Sequence, residues 1–177
     1  MPTLVLVTGP PGSGKTTLAV PLAGLLGLPL ISKDVIKEAL FDSLGEGDRE
    51  WSRRLGVASF RVIFALLRHM PAAVAEAPFE PISAPDLLAG GDPPIEVFCR
   101  CPPAEVLRRF LARAPQRHPG HLDHQTAHEI RAMLERGTGP LALGGPLLEV
   151  DTGGELDVEA VAKWVLEQPF AAGACQT

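Results

Sequence analysis

Four residues near the start of the chain have the types and the spacing that suit a bound phosphate group. Gly9, Gly14, Lys15 and Thr16 match the pattern Gly-x-x-x-x-Gly-Lys-Ser/Thr. In this pattern the glycines let backbone N–H groups turn inward around a β-phosphate. The lysine reaches the β and γ oxygens, and the hydroxyl group binds Mg²⁺. The segment therefore predicts a loop that binds the phosphates of ATP, with Mg²⁺ held by Thr16.

The segments on either side of this loop have the patterns that such a loop requires. Residues 3–8 form a short apolar run rich in β-branched residues, and residues 15–26 have the pattern of a helix. A helix that begins at the loop directs the positive end of its dipole at the phosphates. We therefore expect a strand, the loop and a helix, with Gly12, Ser13 and Thr17 also binding the nucleotide.

Asp34 lies at a second position where chemistry is expected. It follows a short predicted strand at residues 28–31 and begins a helical pattern over residues 34–44. Ligands of open parallel sheets bind at the carboxyl ends of the strands, so its carboxylate can accept a proton from an attacking hydroxyl group. Capping of the helix is the alternative, and the two roles are compatible. Lys33 beside it is expected to face solvent rather than an acidic ligand.

The rest of the chain alternates between strand and helix patterns. Strands are expected over residues 72–76, 95–99 and 147–151. Helices are expected over residues 49–70, 103–114, 123–136 and 156–166, with one short helix near residues 86–88. Asp123 is expected to cap its helix. This alternation predicts an α/β fold, with a five-stranded parallel sheet covered on both faces, in a single domain over residues 1–177.

The chain resembles small P-loop kinases that phosphorylate hydroxyl compounds. The resemblance lies in the phosphate loop, in residues 31–40 with their Asp-led helix, and in the segment from Arg117 to Asp123. This group includes chloramphenicol phosphotransferase, zeta-toxin type kinases, polynucleotide 5′-kinases and the gluconate and shikimate kinases. The resemblance implies a P-loop NTPase three-layer sandwich with strand order 2-3-1-4-5, and a role for Asp34 as the base for the acceptor hydroxyl.

The resemblance also implies a basic lid that closes over ATP, at about residues 103–145. Within it we favour Arg113 and Arg117 for the γ-phosphate, because a planar guanidinium group can bind phosphate oxygens and stabilise their developing charge. An ordinary solvated end of a basic helix is the alternative. Glu76 ends the third predicted strand beside the phosphate loop. The resemblance implies that it orients a water bound to Mg²⁺ or contacts the acceptor, and a solvent-exposed carboxylate at the end of a strand is the alternative.

Four histidines lie close together in the predicted lid, namely His118, His121, His124 and His128. Two of them, His124 and His128, have the four-residue spacing of metal ligands on a helix. No familiar framework of carboxylates and histidines completes a zinc site around them. We therefore expect these histidines to contact the acceptor or to lie on the surface.

Composition and charge narrow the range of partners. The 177 residues carry a net charge of −5, with 46% hydrophobic and 21% charged residues. This balance is typical of a globular domain and disfavours a long nucleic acid as the partner. No apolar run reaches the length of a membrane span, and the first residues lack the features of a signal peptide. We therefore expect a cytoplasmic monomer or homodimer.

These residues together predict an ATP-dependent kinase that transfers the γ-phosphate to a hydroxyl group of a small molecule, such as an antibiotic or a metabolite. A nucleoside, nucleotide or polynucleotide 5′-kinase is the alternative among enzymes, although the carboxylate of Asp34 would repel a phosphate-bearing acceptor. A nucleotide-dependent switch ATPase is the alternative from another class. The Asn-Lys-x-Asp motif of GTPases is excluded because the chain contains no asparagine.

Overall fold

The computed structural model describes residues 3–89 and 91–168, without the side chains of Thr3 and His124. Strands and helices alternate along this part of the chain. The strands are β1 (Thr3–Thr8), β2 (Leu30–Ser32), β3 (Ala72–Glu76), β4 (Ile95–Arg100) and β5 (Leu147–Asp151). The helices are α1 (Lys15–Leu26), α2 (Lys33–Leu44), α3 (Arg49–Leu67), α4 (Ala84–Leu87), α5 (Pro103–Arg113), α6 (Asp123–Arg136) and α7 (Val158–Leu166). Single 3₁₀ turns lie at Pro81–Ser83, Ala114–Gln116 and Pro119–His121.

The five strands form one parallel sheet in the order β2-β3-β1-β4-β5. Val5 of the central strand β1 pairs with Val74 of β3 on one side and with Ile95 of β4 on the other. The loop that follows β1 therefore opens at the middle of the carboxyl edge of the sheet, where ligands of such sheets bind. The expected fold class and strand order are confirmed.

Two apolar layers cover the faces of the sheet. Helices α1 and α7 pack on one face, and α3 packs with the segment after β3 on the other. Alternate residues of β1 serve the two layers: Val5 and Val7 belong to the first, and Leu6 belongs to the second. Because the central strands are buried on both sides, their sequences are almost continuously apolar. This explains why they were recognisable from the sequence.

Short polar signals set the ends of several helices. The carboxylate of Asp48 accepts the N–H of Trp51 at 2.8 Å and caps α3, and Asp157 caps α7 in the same way. The cap expected at Asp123 is wrong. Leu122, with a φ of 54°, precedes α6, and the Asp123 side chain turns to Arg117 instead. Every helix within residues 3–89 and 91–168 is too short or too polar to cross a membrane.

Candidate active site

The phosphate loop between β1 and α1 has a backbone that requires glycine. Gly9 and Gly12 have φ values of 135° and 90°, which side chains strongly disfavour. A Cβ atom at Gly12 would lie 2.6 Å from the carbonyl oxygen of Val106, and one at Gly9 would lie 2.8 Å from that of Cys99. The loop is therefore packed tightly between β4 and α5.

Lys15 follows this loop directly, as the first residue of α1. Its Nζ donates a hydrogen bond to the carbonyl oxygen of Pro10 at 2.9 Å, and the residue is 6% exposed. Burial lowers the pKa of Lys15, against the opposing charges of Glu76 and Asp34. An ammonium group inside a turn of backbone amides, at the start of a helix, suits the oxygens of a polyphosphate.

A cavity of about 400 Å³ opens over the loop. Most of the residues predicted from the sequence line it: Gly12, Gly14, Lys15, Thr16, Thr17, Asp34, Glu76, Arg113 and Arg117. Gly9 lines a neighbouring cavity. Ser13 is fully buried beneath the loop, where its carbonyl oxygen accepts a hydrogen bond from Thr152 Oγ1 at 2.6 Å. The structure thus brings the predicted donor and acceptor residues to one space.

Asp34 faces this cavity from the first turn of α2. Arg117 Nη2 donates to Asp34 Oδ2 at 2.6 Å, and Lys33 Nζ donates to Oδ1 at 3.2 Å. Burial alone would raise the pKa of Asp34, but the charges of Lys33 and Arg117 hold it well below the usual range. The N-cap position of α2 belongs to Ser32. Lys33, expected in solvent, has a side chain that is only 14% exposed.

Glu76 lies at the end of β3 and forms part of the cavity wall. It is 4% exposed, and its Oε2 accepts a hydrogen bond from Ser32 Oγ at 2.7 Å. Since β3 is an inner strand with β2 and β1 on its two sides, the carboxylate at its end is shielded from solvent. The Glu76 carboxylate and the Thr16 hydroxyl line the same cavity, and oxygen ligands of these types suit Mg²⁺ and its bound waters.

Arg113 lines the cavity and carries one hydrogen-bond donor without a partner in the described part of the chain. Its Nε is buried and has no hydrogen-bond partner among the residues that the structure describes. The guanidinium lies over the ring of Phe110, with 5.4 Å between its central carbon and the ring centroid. Burial, with the charge of Arg117 adding to it, lowers the pKa of Arg113. A buried donor without a partner is unfavourable, so this N–H is suited to bind a phosphate oxygen.

Arg117 is more heavily engaged than Arg113. Its Nη1 donates to both carboxylate oxygens of Asp123, at 2.8 and 2.9 Å, while Nη2 binds Asp34. It also lies 3.0 Å from the ring nitrogens of His121. These contacts make Arg117 a positioning group for Asp34, and its contact with the γ-phosphate stays a prediction.

Arg109 is a cavity residue that the sequence interpretation did not select. Its Nε donates to Glu105 at 2.6 Å, and its Nη1 donates to the carbonyl oxygen of Thr152 at 2.8 Å. Thr152 is itself bound to the phosphate loop through Ser13. Arg109 therefore ties α5 to the loop after β5. Its i, i+4 spacing from Arg113 was the signal that could have identified it.

The segment Arg117–His121 docks on α2 through Phe41. The ring of Phe41 stacks on His118, with centroids 5.0 Å apart, and meets His121 edge-on at 5.8 Å. His121 also contacts Glu38, with 2.9 Å between Nε2 and Oε1. Burial, then the charge of Arg117, lowers the pKa of His121 to about 3. Among the described side chains, no group of three or more histidine, cysteine or acidic residues could hold a metal ion.

The other end of the predicted lid is fixed by Glu96, a buried residue of β4 that the sequence interpretation also missed. Its carboxylate accepts the backbone N–H groups of Leu141 and Ala142 at 2.8 and 2.9 Å, and the hydroxyl of Thr8 at 2.9 Å. A buried carboxylate is stable when such donors surround it. Glu96 therefore holds the chain before β5 close to the start of the phosphate loop.

Comparison with known proteins identifies the family and the fold of the chain. The sequence profile described as AAA domain matches residues 4–140. A candidate kinase from Chloroflexus aurantiacus is 37% identical over 94% of this chain and 98% of its own, with a TM-score of 0.79. A gluconokinase from Sinorhizobium meliloti is 17% identical over 97% of this chain and 93% of its own, with a TM-score of 0.56. A shikimate kinase from Bacteroides thetaiotaomicron is 20% identical over 93% of this chain and 97% of its own, with a TM-score of 0.58.

No curated protein matches the sequence. The last two structures are similar in fold alone, whereas the first is similar in sequence along nearly its whole length. The profile match covers most of the chain and includes the phosphate loop, Asp34 and the arginines. The chain therefore belongs to the AAA domain family, and its fold is that of a P-loop kinase.

Proposed function

We propose that this protein is an ATP-dependent kinase that transfers the γ-phosphate to a hydroxyl group of a small molecule. The observation that carries the proposal is the single cavity into which the phosphate loop, Asp34 and Arg113 all face. Phosphoryl transfer requires positioning and neutralisation of charge more than covalent help from the protein. These three features supply a donor site, a group that orients the nucleophile and a cation for the transferred group.

The donor half of the site consists of the phosphate loop and the cations above it. Lys15 and the backbone N–H groups of the loop bind the β and γ phosphates, and the free Nε–H of Arg113 binds γ oxygens. Thr16 would hold Mg²⁺, and Glu76 would hold one of its waters. Mg²⁺ bound there supplies positive charge that offsets the charge on the transferred group.

The acceptor half is centred on Asp34. A carboxylate with a low pKa is a weak base, but it can still accept a hydrogen bond from a hydroxyl and orient it. Its two oxygens offer about four lone-pair sites. Lys33 and Arg117 use one on each oxygen, so sites remain for the acceptor. Because the transition state of phosphoryl transfer is loose, such orientation suffices and a strong base is not required.

The names of the similar proteins support phosphotransfer, since they include a candidate kinase, a gluconokinase and a shikimate kinase. The test is an acceptor screen. The protein is incubated with ATP, Mg²⁺ and hydroxyl compounds, antibiotics and nucleosides included, while ADP release and transfer of the γ-phosphate are followed. At least one hydroxyl compound should raise ADP release above slow hydrolysis, and Lys15→Ala should abolish this turnover.

A protein that binds ATP but responds to none of the hydroxyl compounds would be a switch ATPase instead. The Lys15→Ala variant serves as the background for contaminating kinases, because it removes the cation that contacts the β and γ oxygens. Its retained fold is checked by circular dichroism and thermal unfolding.

A further inference from the structure

Lys37 is a charged residue of α2 with no role in the proposed phosphoryl transfer. Lys37 lies one turn beyond Asp34 and is 7% exposed. Its Nζ donates to Ser52 Oγ of α3 at 2.9 Å and lies 5.2 Å from the ring centroid of Phe41. Within residues 3–89 and 91–168, no carboxylate lies within ion-pair distance of this ammonium group. Lys37 is thus a buried cation without a directly bound counter-ion in this part of the chain, and the carboxylates of Asp34 and Asp123 act on it only from a distance.

Such a cation is unfavourable for folding. Burial lowers the pKa of Lys37 to about 8, and the charge of Lys33 adds to this effect. An apolar side chain of the same length would fill the same space without the desolvation of a charge. The ammonium group therefore serves something other than packing, and a negatively charged ligand is what its chemistry would bind.

There is space for such a ligand next to Lys37. A cavity of about 580 Å³ lies between α2, α3 and the beginning of α6, and Lys37 and Ser52 form part of its wall. The other cations of this wall, Arg49 and Arg53, are each paired with a glutamate. His121 is the residue common to the walls of this cavity and of the one over the phosphate loop.

The facing helix α3 carries a glycine close to the ammonium group. Gly56 lies in the interior of α3, where glycine is less favourable than alanine. A Cβ atom at this position would lie 3.9 Å from Lys37 Nζ. Alanine would therefore fit but would fill the space beside the charge.

We propose that the acceptor is a small hydroxy acid whose carboxylate binds Lys37 while its hydroxyl lies at Asp34. This inference rests on the proposed kinase function. Asp34 and Lys37 are three residues apart on α2, which places their Cβ atoms about 5–6 Å apart. A compound whose hydroxyl and acid groups are separated by a few bonds can span them.

The charges of the two side chains fix the direction in which the compound binds. With its acid at Lys37, the ligand neutralises the buried cation and presents its hydroxyl to the carboxylate of Asp34. In the reverse direction two carboxylates would face each other, which is unfavourable. The single ammonium group of Lys37 matches the single charge of a carboxylate better than the double charge of a phosphate, because the hydroxyl of Ser52 already donates to the carbonyl oxygen of Gly120 at 2.7 Å.

The experiment compares acids with their neutral counterparts. D-Glycerate, D-gluconate, shikimate and pantoate are each tested beside the corresponding primary amide, with ATP and Mg²⁺, on the wild type and on Lys37→Met. The wild type should prefer one acid to its amide. Lys37→Met should lower kcat/KM for that acid by about 10–100-fold, the range expected for a charge-assisted hydrogen bond. It should leave the amide and the slow ATP hydrolysis unchanged.

Two controls separate recognition from folding. Lys163→Met removes an exposed lysine of α7 by the same substitution and should change neither activity nor stability. Lys37→Met itself should unfold at the same temperature as the wild type or a higher one, because it removes a desolvated charge.

The outcomes distinguish this inference from the kinase proposal. Equal use of an acid and its amide by the wild type, or use of neutral hydroxyl compounds only, would overturn the assignment of a hydroxy acid and leave the kinase standing. Preference for the acid that persists in Lys37→Met would overturn the role of Lys37. Failure of every hydroxyl compound would overturn the kinase proposal and this inference with it.

Discussion

At the scale of residues, the site is defined by charges that hold one another in place. Asp34 binds both Lys33 and Arg117, and Arg117 in turn binds Asp123. This arrangement keeps Asp34 ionised and fixes the direction of its free lone pairs. Its contribution to catalysis is therefore the orientation of a hydroxyl group. A neutral amide at this position has only one oxygen that can accept a hydrogen bond, so it would hold the hydroxyl less firmly.

Asp34→Asn tests this role directly. We expect turnover to fall by about 10²-fold or more, because misplacement of a reacting group by about 1 Å has an effect of this size. ATP binding should change little, since Lys15 and the phosphate loop are untouched. The measurement is kcat with the best acceptor from the screen, together with ATP affinity by calorimetry. Unchanged turnover in Asp34→Asn would show that the hydroxyl is oriented by another group.

At the scale of elements, the predicted lid is held to the rest of the domain at three points. Arg109 of α5 binds the loop after β5, the segment Arg117–His121 docks on α2, and Leu141 and Ala142 bind Glu96 of β4. The middle contact matters most for chemistry, because the same segment carries the arginine that positions Asp34. Displacement of this segment should therefore disturb the acceptor half of the site and spare the donor half.

Gly120→Ala is a small change at this contact. A Cβ atom at Gly120 would lie 2.7 Å from the ring of Phe41, which is buried in the domain. We expect a loss of about 1–3 kcal/mol in the free energy of unfolding, as for other overpacked sites. We also expect lower kcat with little change in ATP affinity, because the segment that carries Arg117 must shift.

Gly139→Ala is the matched control, since open space surrounds the Cβ position there. Urea unfolding and steady-state kinetics on both variants provide the comparison. Phe41→Leu in the Gly120→Ala background should recover part of the activity, because the smaller side chain makes room for the added methyl group. Full activity in Gly120→Ala alone would show that this contact does not position Asp34.

At the scale of the whole molecule, the strands that leave a local sequence pattern could be predicted from that pattern, whereas features that depend on contacts between distant residues could not. The strands β1, β3 and β5 have the expected ends. In β1 and β3 the apolar run records burial in a parallel sheet, whereas the edge strand β5 is half-exposed and was recognisable from its length and the turn residues that bound it. The order of the strands came from the resemblance, since pairing of distant segments leaves no local pattern. It proved correct.

The residues of the site also fall into two groups, those that a local pattern predicts and those that depend on contacts between distant residues. The phosphate loop and Asp34 could be predicted because their spacing or their place after a strand shows in the sequence. The contact of Arg117 with Asp34 joins residues 83 positions apart, and the burial of Lys37 depends on the packing of α3 against α2. Charged residues usually lie at the surface, so a single sequence gives no reason to place this lysine in the interior.

The buried charge of Lys37 has a consequence for the stability of the whole domain. Its pKa is about 8 in the folded chain, against 10.5 for an ordinary lysine. Below about pH 8 both states hold the proton, and the folded state bears the full unfavourable free energy of about 3 kcal/mol. Between pH 8 and pH 10.5 the unfolded chain binds more protons than the folded chain does. The free energy of unfolding of the wild type should therefore rise with pH through this range.

Lys37→Met removes this dependence. At pH 7 we expect the variant to be more stable than the wild type by up to about 3 kcal/mol, and the difference should shrink as pH rises toward 10.5. Urea unfolding of the two proteins at matched pH gives the measurement, because contributions from the other titrating groups cancel in the difference. Lys163→Met should show no such trend. A Lys37→Met variant less stable than the wild type at pH 7 would mean that the ammonium group supports the fold. Its burial would then no longer indicate an acidic ligand.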